Sequence, residues 1–96
     1  MPDKVTLALR ARITGRVQGV WFRGWTEQEA NKLGLYGWVR NRDDGSVEAL
    51  FCGDETIVNE MITRCHSGPQ GAEVKEVETF PALGLTPPKF TVKPTV

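Results

Sequence analysis

Apolar residues alternate along the first stretch of the chain. Val5, Leu7, Leu9, Ala11 and Ile13 are separated by Thr6, Ala8, Arg10 and Arg12, the period of two expected of a strand with one buried and one wet face. Two glycines in Gly15-Arg16-Val17-Gln18-Gly19-Val20 end the alternation and predict a loop. Phe22, Thr26, Ala30 and Leu33 then recur at helical spacing, with Trp25 broadening the stripe. A helix of about twelve residues is expected, ending at a left-handed cap on Gly34 and holding Glu27 and Glu29 near the positive end of its dipole.

Leu35 to Asn41 reads as a second strand, Asp43-Asp44-Gly45 as a hairpin turn, and Ser46 to Cys52 as a third strand with Val47, Ala49 and Phe51 on one face. Asp54 can cap a second helix whose apolar face is Ile57, Val58, Met61, Ile62 and Cys65, and which stops at Ser67-Gly68-Pro69. Val74 to Thr79 predicts a polar, edge-like fourth strand. After a loop containing Pro81, Pro87 and Pro88, Lys89 to Val92 can add a short fifth strand. The order strand, helix, strand, strand, helix, strand is the ferredoxin-like split βαβ arrangement. It makes an α+β sandwich with an antiparallel sheet and both helices on one face, expected here as a single domain over residues 1–96.

Composition narrows the function more than the fold. The twelve Lys and Arg balance twelve Asp and Glu, leaving no broad basic field to attract nucleic acid or anionic lipid. The start Met1-Pro2-Asp3-Lys4 has no basic segment followed by an apolar run, and eighteen consecutive apolar residues occur nowhere. The expectation is a cytoplasmic protein that binds neither membrane nor nucleic acid, and a monomer, since there is no coiled-coil repeat. Cys52 and Cys65 match no disulfide framework or zinc spacing and are read as reduced packing residues. His66, the only histidine, is placed in solvent just after the second helix and completes no metal site, so no cofactor is expected.

Two segments carry candidate chemistry. In Gly15-Arg16-Val17-Gln18-Gly19-Val20-Trp21-Phe22-Arg23, a glycine-punctuated turn feeds a helix N-terminus. Inward backbone N–H groups and the positive dipole end favour an anion there, and Arg23 adds a planar fork of donors suited to two phosphate oxygens. Read alone, the same residues suit a plain strand-to-helix turn and a solvated arginine. The nucleotide P-loop is excluded because its Lys-Ser or Lys-Thr pair is missing. In Gly37-Trp38-Val39-Arg40-Asn41-Arg42-Asp43-Asp44-Gly45-Ser46-Val47-Glu48, one carboxamide precedes the turn. Asn41 can satisfy local backbone groups, or it can converge with Arg23 if the first loop and the end of the second strand share a sheet edge.

Together the segments resemble the acylphosphatase family, whose patterns run Gly-x-Val-Gln-Gly-Val-x-Phe-Arg and Gly-aromatic-Val-basic-Asn-x-x-Asp-Gly-x-Val-Glu. The likeness extends to Leu33-Gly34-Leu35 and to the closing Phe90-Thr91-Val92-Lys93. The resemblance implies an enzyme that hydrolyses a small-molecule acyl phosphate, with inorganic phosphate as product and inhibitor. It implies Arg23 and the N–H groups of Gln18, Gly19, Val20, Trp21 and Phe22 as the phosphoryl cradle, Asn41 as the group that positions water, and no metal. A binding module that holds phosphate without turnover is the alternative, and an RNA binder is disfavoured by the neutral charge.

Other residues near the motifs have structural readings. Val20 and Phe22 anchor the loop to the core, Trp21 packs half-buried, and Gln18 steadies the loop or lends its backbone. Trp38 packs or lies on the exposed sheet face. Asp43, Asp44 and Glu48 suit a solvated hairpin. Gly24, directly after Arg23, costs about 1 kcal/mol against alanine in a helix, which predicts a looser Arg23 and weaker phosphate binding.

Overall fold

The computed structural model describes residues 6–84 and 86–96. Its elements are β1 (Thr6–Arg16), α1 (Phe22–Lys32), β2 (Tyr36–Asn41), β3 (Val47–Asp54), α2 (Glu55–Ser67), β4 (Glu73–Pro81) and β5 (Phe90–Val92). The expected strand start at Val5 lies outside the described residues.

The alternating patterns become one buried face. Ala11 and Ile13 of β1, Val39 of β2 and Val47, Ala49 and Phe51 of β3 pack against Phe22 and Ala30 of α1 and Val58, Met61 and Cys65 of α2. Both helices therefore lie on one side of the sheet, as the sequence order predicts. Its strands run in the order β4-β1-β3-β2-β5.

Four strands are antiparallel, but β5 pairs parallel to β2, with Val39 opposite Val92. The antiparallel sheet expected from the sequence is thus made by β1 to β4, and the short fifth strand, whose direction the sequence reading leaves open, adds to it in parallel. The connection after β4 has to cross from one edge of the sheet to the other and delivers β5 in the direction of β2. The C-terminal ends of β1, β2 and β5 consequently share one end of the sheet.

That end is shaped by two departures from the sequence reading. β1 continues through Gly15 and Arg16, which were expected in the loop, because they pair with Val74 and Glu73 across a bulge. Gly15 has φ 119°, and a Cβ there would run into the Glu73 carbonyl, so only glycine lets the two backbones approach. The remaining loop is short, residues 17–21, and α1 begins at Phe22. Its first turn has no acidic residue, so Glu27 and Glu29 are not at its positive end. Glu29 instead accepts a 2.8 Å ion pair from Arg64 of α2.

The helix termini follow the expected capping. At the C-terminus of α1 the Leu35 N–H reaches the Ala30 carbonyl at 2.9 Å and the Gly34 N–H reaches Asn31 at 3.1 Å, closing a left-handed cap. Asp54 Oδ1 accepts the Thr56 N–H at 2.9 Å at the start of α2. His66 is exposed within the last turn of α2, one residue before the predicted stop. Pro81 belongs to β4, opposite Leu9, rather than to the following loop. Cys65 is fully buried, with its thiol pushed up to about 12 by desolvation; Cys52 is also buried and free.

The open face of the sheet is held by charge. Glu48 is buried, not solvated as the hairpin reading expects, and it accepts from Arg40 Nε and Arg42 Nη1 at 2.8 Å each and from Arg10 Nη1 at 3.3 Å. Burial opposes its ionisation, but the bonds to Arg40 and Arg42 outweigh that and hold its pKa below the ordinary value. Asp44 turns back to accept the Ser46 N–H and hydroxyl at 2.9 and 2.6 Å and pairs with Arg12. Trp38 lies on the open face under two cations, the Arg40 guanidinium at 4.7 Å and the Lys93 ammonium at 4.9 Å from its ring.

Candidate active site

At the shared end of β1, β2 and β5 lies a cleft of about 270 Å³ bordered by the loop after β1, the first turn of α1, Asn41 and Val92. The loop is built to expose N–H groups. Gly19 has φ 76° and Trp21 has φ 66°, while neither Gln18 nor Val20 has a positive φ, so the backbone alternates in hand before entering the helix. Among the described residues, no hydrogen bond within the protein uses the backbone N–H groups of Gln18 through Gly24. The last of these belong to the first turn of α1, where no intrahelical acceptor exists. Trp21, at the helix N-cap, makes no side-chain cap bond. Unpaired donors from a hand-alternating turn, joined to a positive helix end, are an arrangement that suits an anion.

Arg23 projects from that first turn, exposed and bordering the cleft. Among the described residues its guanidinium has no carboxylate partner, whereas Arg10, Arg12, Arg40, Arg42 and Arg64 are all paired. Its five donors are therefore free for an external anion. Asn41 ends β2 opposite Val47 and borders the same cleft. The local reading of its carboxamide as a turn-satisfying group fails: the turn is closed by Asp44 and by the Arg42 N–H to the Ser46 carbonyl at 2.9 Å.

Gln18 joins the two halves. Its Nε2 donates to the Arg42 carbonyl at 2.8 Å and to the Ser46 carbonyl at 2.9 Å, tying the loop to the hairpin that carries Asn41. The Gln18→Ala variant is expected to lose about 1–3 kcal/mol in chemical denaturation, the worth of two net hydrogen bonds. It is also expected to slow any turnover in this cleft by about tenfold, lowering kcat, because the loop and Asn41 lose their common register. A variant destabilised by that amount with unchanged kcat would remove the alignment role.

The other sequence-predicted residues divide. Gly19, Trp21 and Phe22 border the cleft; Val20 does not, and packs against the core with only its backbone in the loop. Phe22 is buried and meets Trp25 edge-on at 5.3 Å. Trp21 is 60% exposed rather than half-buried, and its left-handed backbone costs about 1–2 kcal/mol for a residue of its size. Gly24, read from sequence as a weakness, is the floor beneath it. A Cβ at Gly24 would overlap Nε1 of the Trp21 indole and stand 2.8 Å from its Cδ1.

Val17, Gly24 and Val92 also border the cleft and were not singled out as site residues. The signal for Val92 was its place in the closing Phe90-Thr91-Val92-Lys93, but only the parallel pairing of β5 carries it to Asn41. Among the described residues, no three His, Cys, Asp or Glu side chains gather as metal ligands, and no helix is long and apolar enough to cross a membrane.

Comparison with known proteins gives one consistent result. Residues 9–91 match the acylphosphatase family. An acylphosphatase of Rhodospirillum rubrum is 50% identical over 88 residues, covering 92% of this chain and 97% of that protein. Among solved structures, an acylphosphatase from Coxiella burnetii superposes with a TM-score of 0.90 at 29% identity, covering 97% of this chain and 100% of the other. One from Bacillus subtilis gives 0.85 at 35% identity, with 91% and 98% covered. With its fold and most of its length shared with these proteins, the chain belongs to the acylphosphatase family.

Proposed function

We propose that this acylphosphatase holds the phosphoryl group of an acyl phosphate on Arg23 and the N–H groups of Gln18 to Phe22, while Asn41 aligns the attacking water. The observation that carries the reading is that N–H donors unpaired among the described residues, an arginine with no carboxylate partner among them, and Asn41 come together at one cleft. The water oxygen forms a bond to phosphorus as the bond from phosphorus to the acyl oxygen breaks. The acyl group departs as a carboxylate with the electron pair, and the water proton passes to a phosphoryl oxygen of the substrate.

Neither protein group acts as a base, since guanidinium stays protonated and a carboxamide has almost no basicity at neutral pH. No base is required, because a phosphoryl oxygen of the substrate takes the water proton, and no general acid is required, because a carboxylate leaves readily without protonation. The task left to the protein is to align water with phosphorus and to stabilise charge on the equatorial oxygens. Fixed dipoles and one cation suffice for that. The reading therefore includes catalysis without a metal, by a cytoplasmic monomer.

The test is acetyl phosphate hydrolysis in excess chelator. Turnover is expected to persist, with inorganic phosphate a competitive inhibitor because it occupies the same cradle as the phosphoryl group. A requirement for added magnesium would overturn the metal-free mechanism. Noncompetitive inhibition by phosphate would separate the cradle from the site of chemistry.

A further inference from the structure

We infer that the Trp21 indole, seated on Gly24, is the wall against which the acyl half of the substrate packs, and that it favours acyl phosphates whose acyl group is a planar aromatic. The inference rests on the reading of the cleft given above. If the loop and Arg23 take the charged phosphoryl end, the acyl end must leave the cradle along whatever borders its mouth. Two exposed large hydrophobic residues are there, Trp21 and Val92, 60% and 41% exposed.

The indole is placed rather than merely tolerated. Its backbone is the only non-glycine residue with positive φ among the described residues, in a conformation that glycine or asparagine adopts with less strain. A strained residue beside an anion cradle points to a side chain kept for what it does. The pyrrole edge lies over Gly24, where any Cβ would overlap it, so the chain gives up helix propensity at the first turn of α1 to make the seat. Among the described residues Trp21 is also the one tryptophan without a ring or cation partner: Trp25 packs on Phe22, and Trp38 lies under Arg40 and Lys93. A free aromatic face beside a polar cradle suits a flat, apolar group attached to a phosphate.

The experiment compares kcat/KM for benzoyl phosphate and acetyl phosphate in the wild type and in Trp21→Asn, Gly24→Ala and the double variant. Asparagine accepts the left-handed backbone, so the loop keeps its path. The benzoyl-to-acetyl ratio is expected to fall roughly tenfold in Trp21→Asn, the scale of one lost aromatic contact, and to do so through KM for benzoyl phosphate. Gly24→Ala should lower the ratio in the same direction by pushing the indole off its seat, and the double variant should fall no further than the lower single variant. A ratio in Trp21→Asn equal to that of the wild type, including an equal loss on both substrates, would overturn the inference. Failure of the underlying reading is separately visible: it would show as acetyl phosphate hydrolysis that survives Arg23→Ala, whatever the ratio does.

Discussion

The Arg23→Ala variant is expected to lose about 10²- to 10³-fold in kcat/KM for acetyl phosphate, the cost of removing a donor aimed at transition-state charge. The magnitude follows from where the guanidinium stands. It rises from the first turn of α1, beside N–H groups that no other part of the described chain uses, and no carboxylate among the described residues neutralises it. Inorganic phosphate should also inhibit more weakly, since in the proposed mechanism the same fork takes the equatorial oxygens of substrate and product. Arg23→Lys keeps the charge without the planar fork and should recover only part of the loss. Because Arg23 is exposed and makes no ion pair among the described residues, its removal should change stability by no more than about 0.5 kcal/mol. Steady-state kinetics beside a denaturation curve therefore separates chemistry from folding. Near-normal turnover in a folded Arg23→Ala protein would sink the assignment.

The sequence made the scaffold of this cleft legible because local periodicity and burial agree. Ala11, Ile13, Val39, Val47, Ala49 and Phe51 alternate along their strands and are all fully buried, while Gly34 and Asp54 cap the helices as their residue types predict. Features set by distant pairing were not legible. Gly15 and Arg16 look like loop until β4 is laid beside them, and the parallel direction of β5 depends on a crossing that no local pattern encodes.

The site divides along the same line. Arg23 and Asn41 could be singled out because they stand in two long motifs, each tied to one turn. The role of the Gln18 side chain could not be decided, because its acceptors are 24 and 28 residues away. The seat that Gly24 gives Trp21 was hidden for a related reason. Propensity scores a residue against its own helix, whereas the missing Cβ here makes room for a side chain that folds back from Trp21. Glu48 shows the same limit: a carboxylate beside a hairpin reads as solvated until Arg10 of β1, Arg40 of β2 and Arg42 of the turn are placed over it.

Asn41→Ala is expected to separate turnover from binding, lowering kcat by about 10²- to 10³-fold, comparable to the loss of one positioned polar group, while inhibition by phosphate stays near that of the wild type. The backbone at this position is fixed independently of the side chain. Asn41 pairs with Val47 in β3, and its carbonyl accepts the Val96 N–H at 3.2 Å. Removing the carboxamide therefore leaves the strand, the Gln18 tether and the cradle in place and takes away only the group facing the cleft. Asn41→Asp sharpens the distinction, because a carboxylate of nearly the same shape can still orient water but repels the phosphoryl dianion. It should weaken phosphate inhibition as well as turnover, whereas the alanine variant leaves binding unchanged. If Asn41→Ala instead lost phosphate affinity and turnover together, the carboxamide would belong to the cradle. The water would then have to be aligned by another donor or acceptor at the cleft.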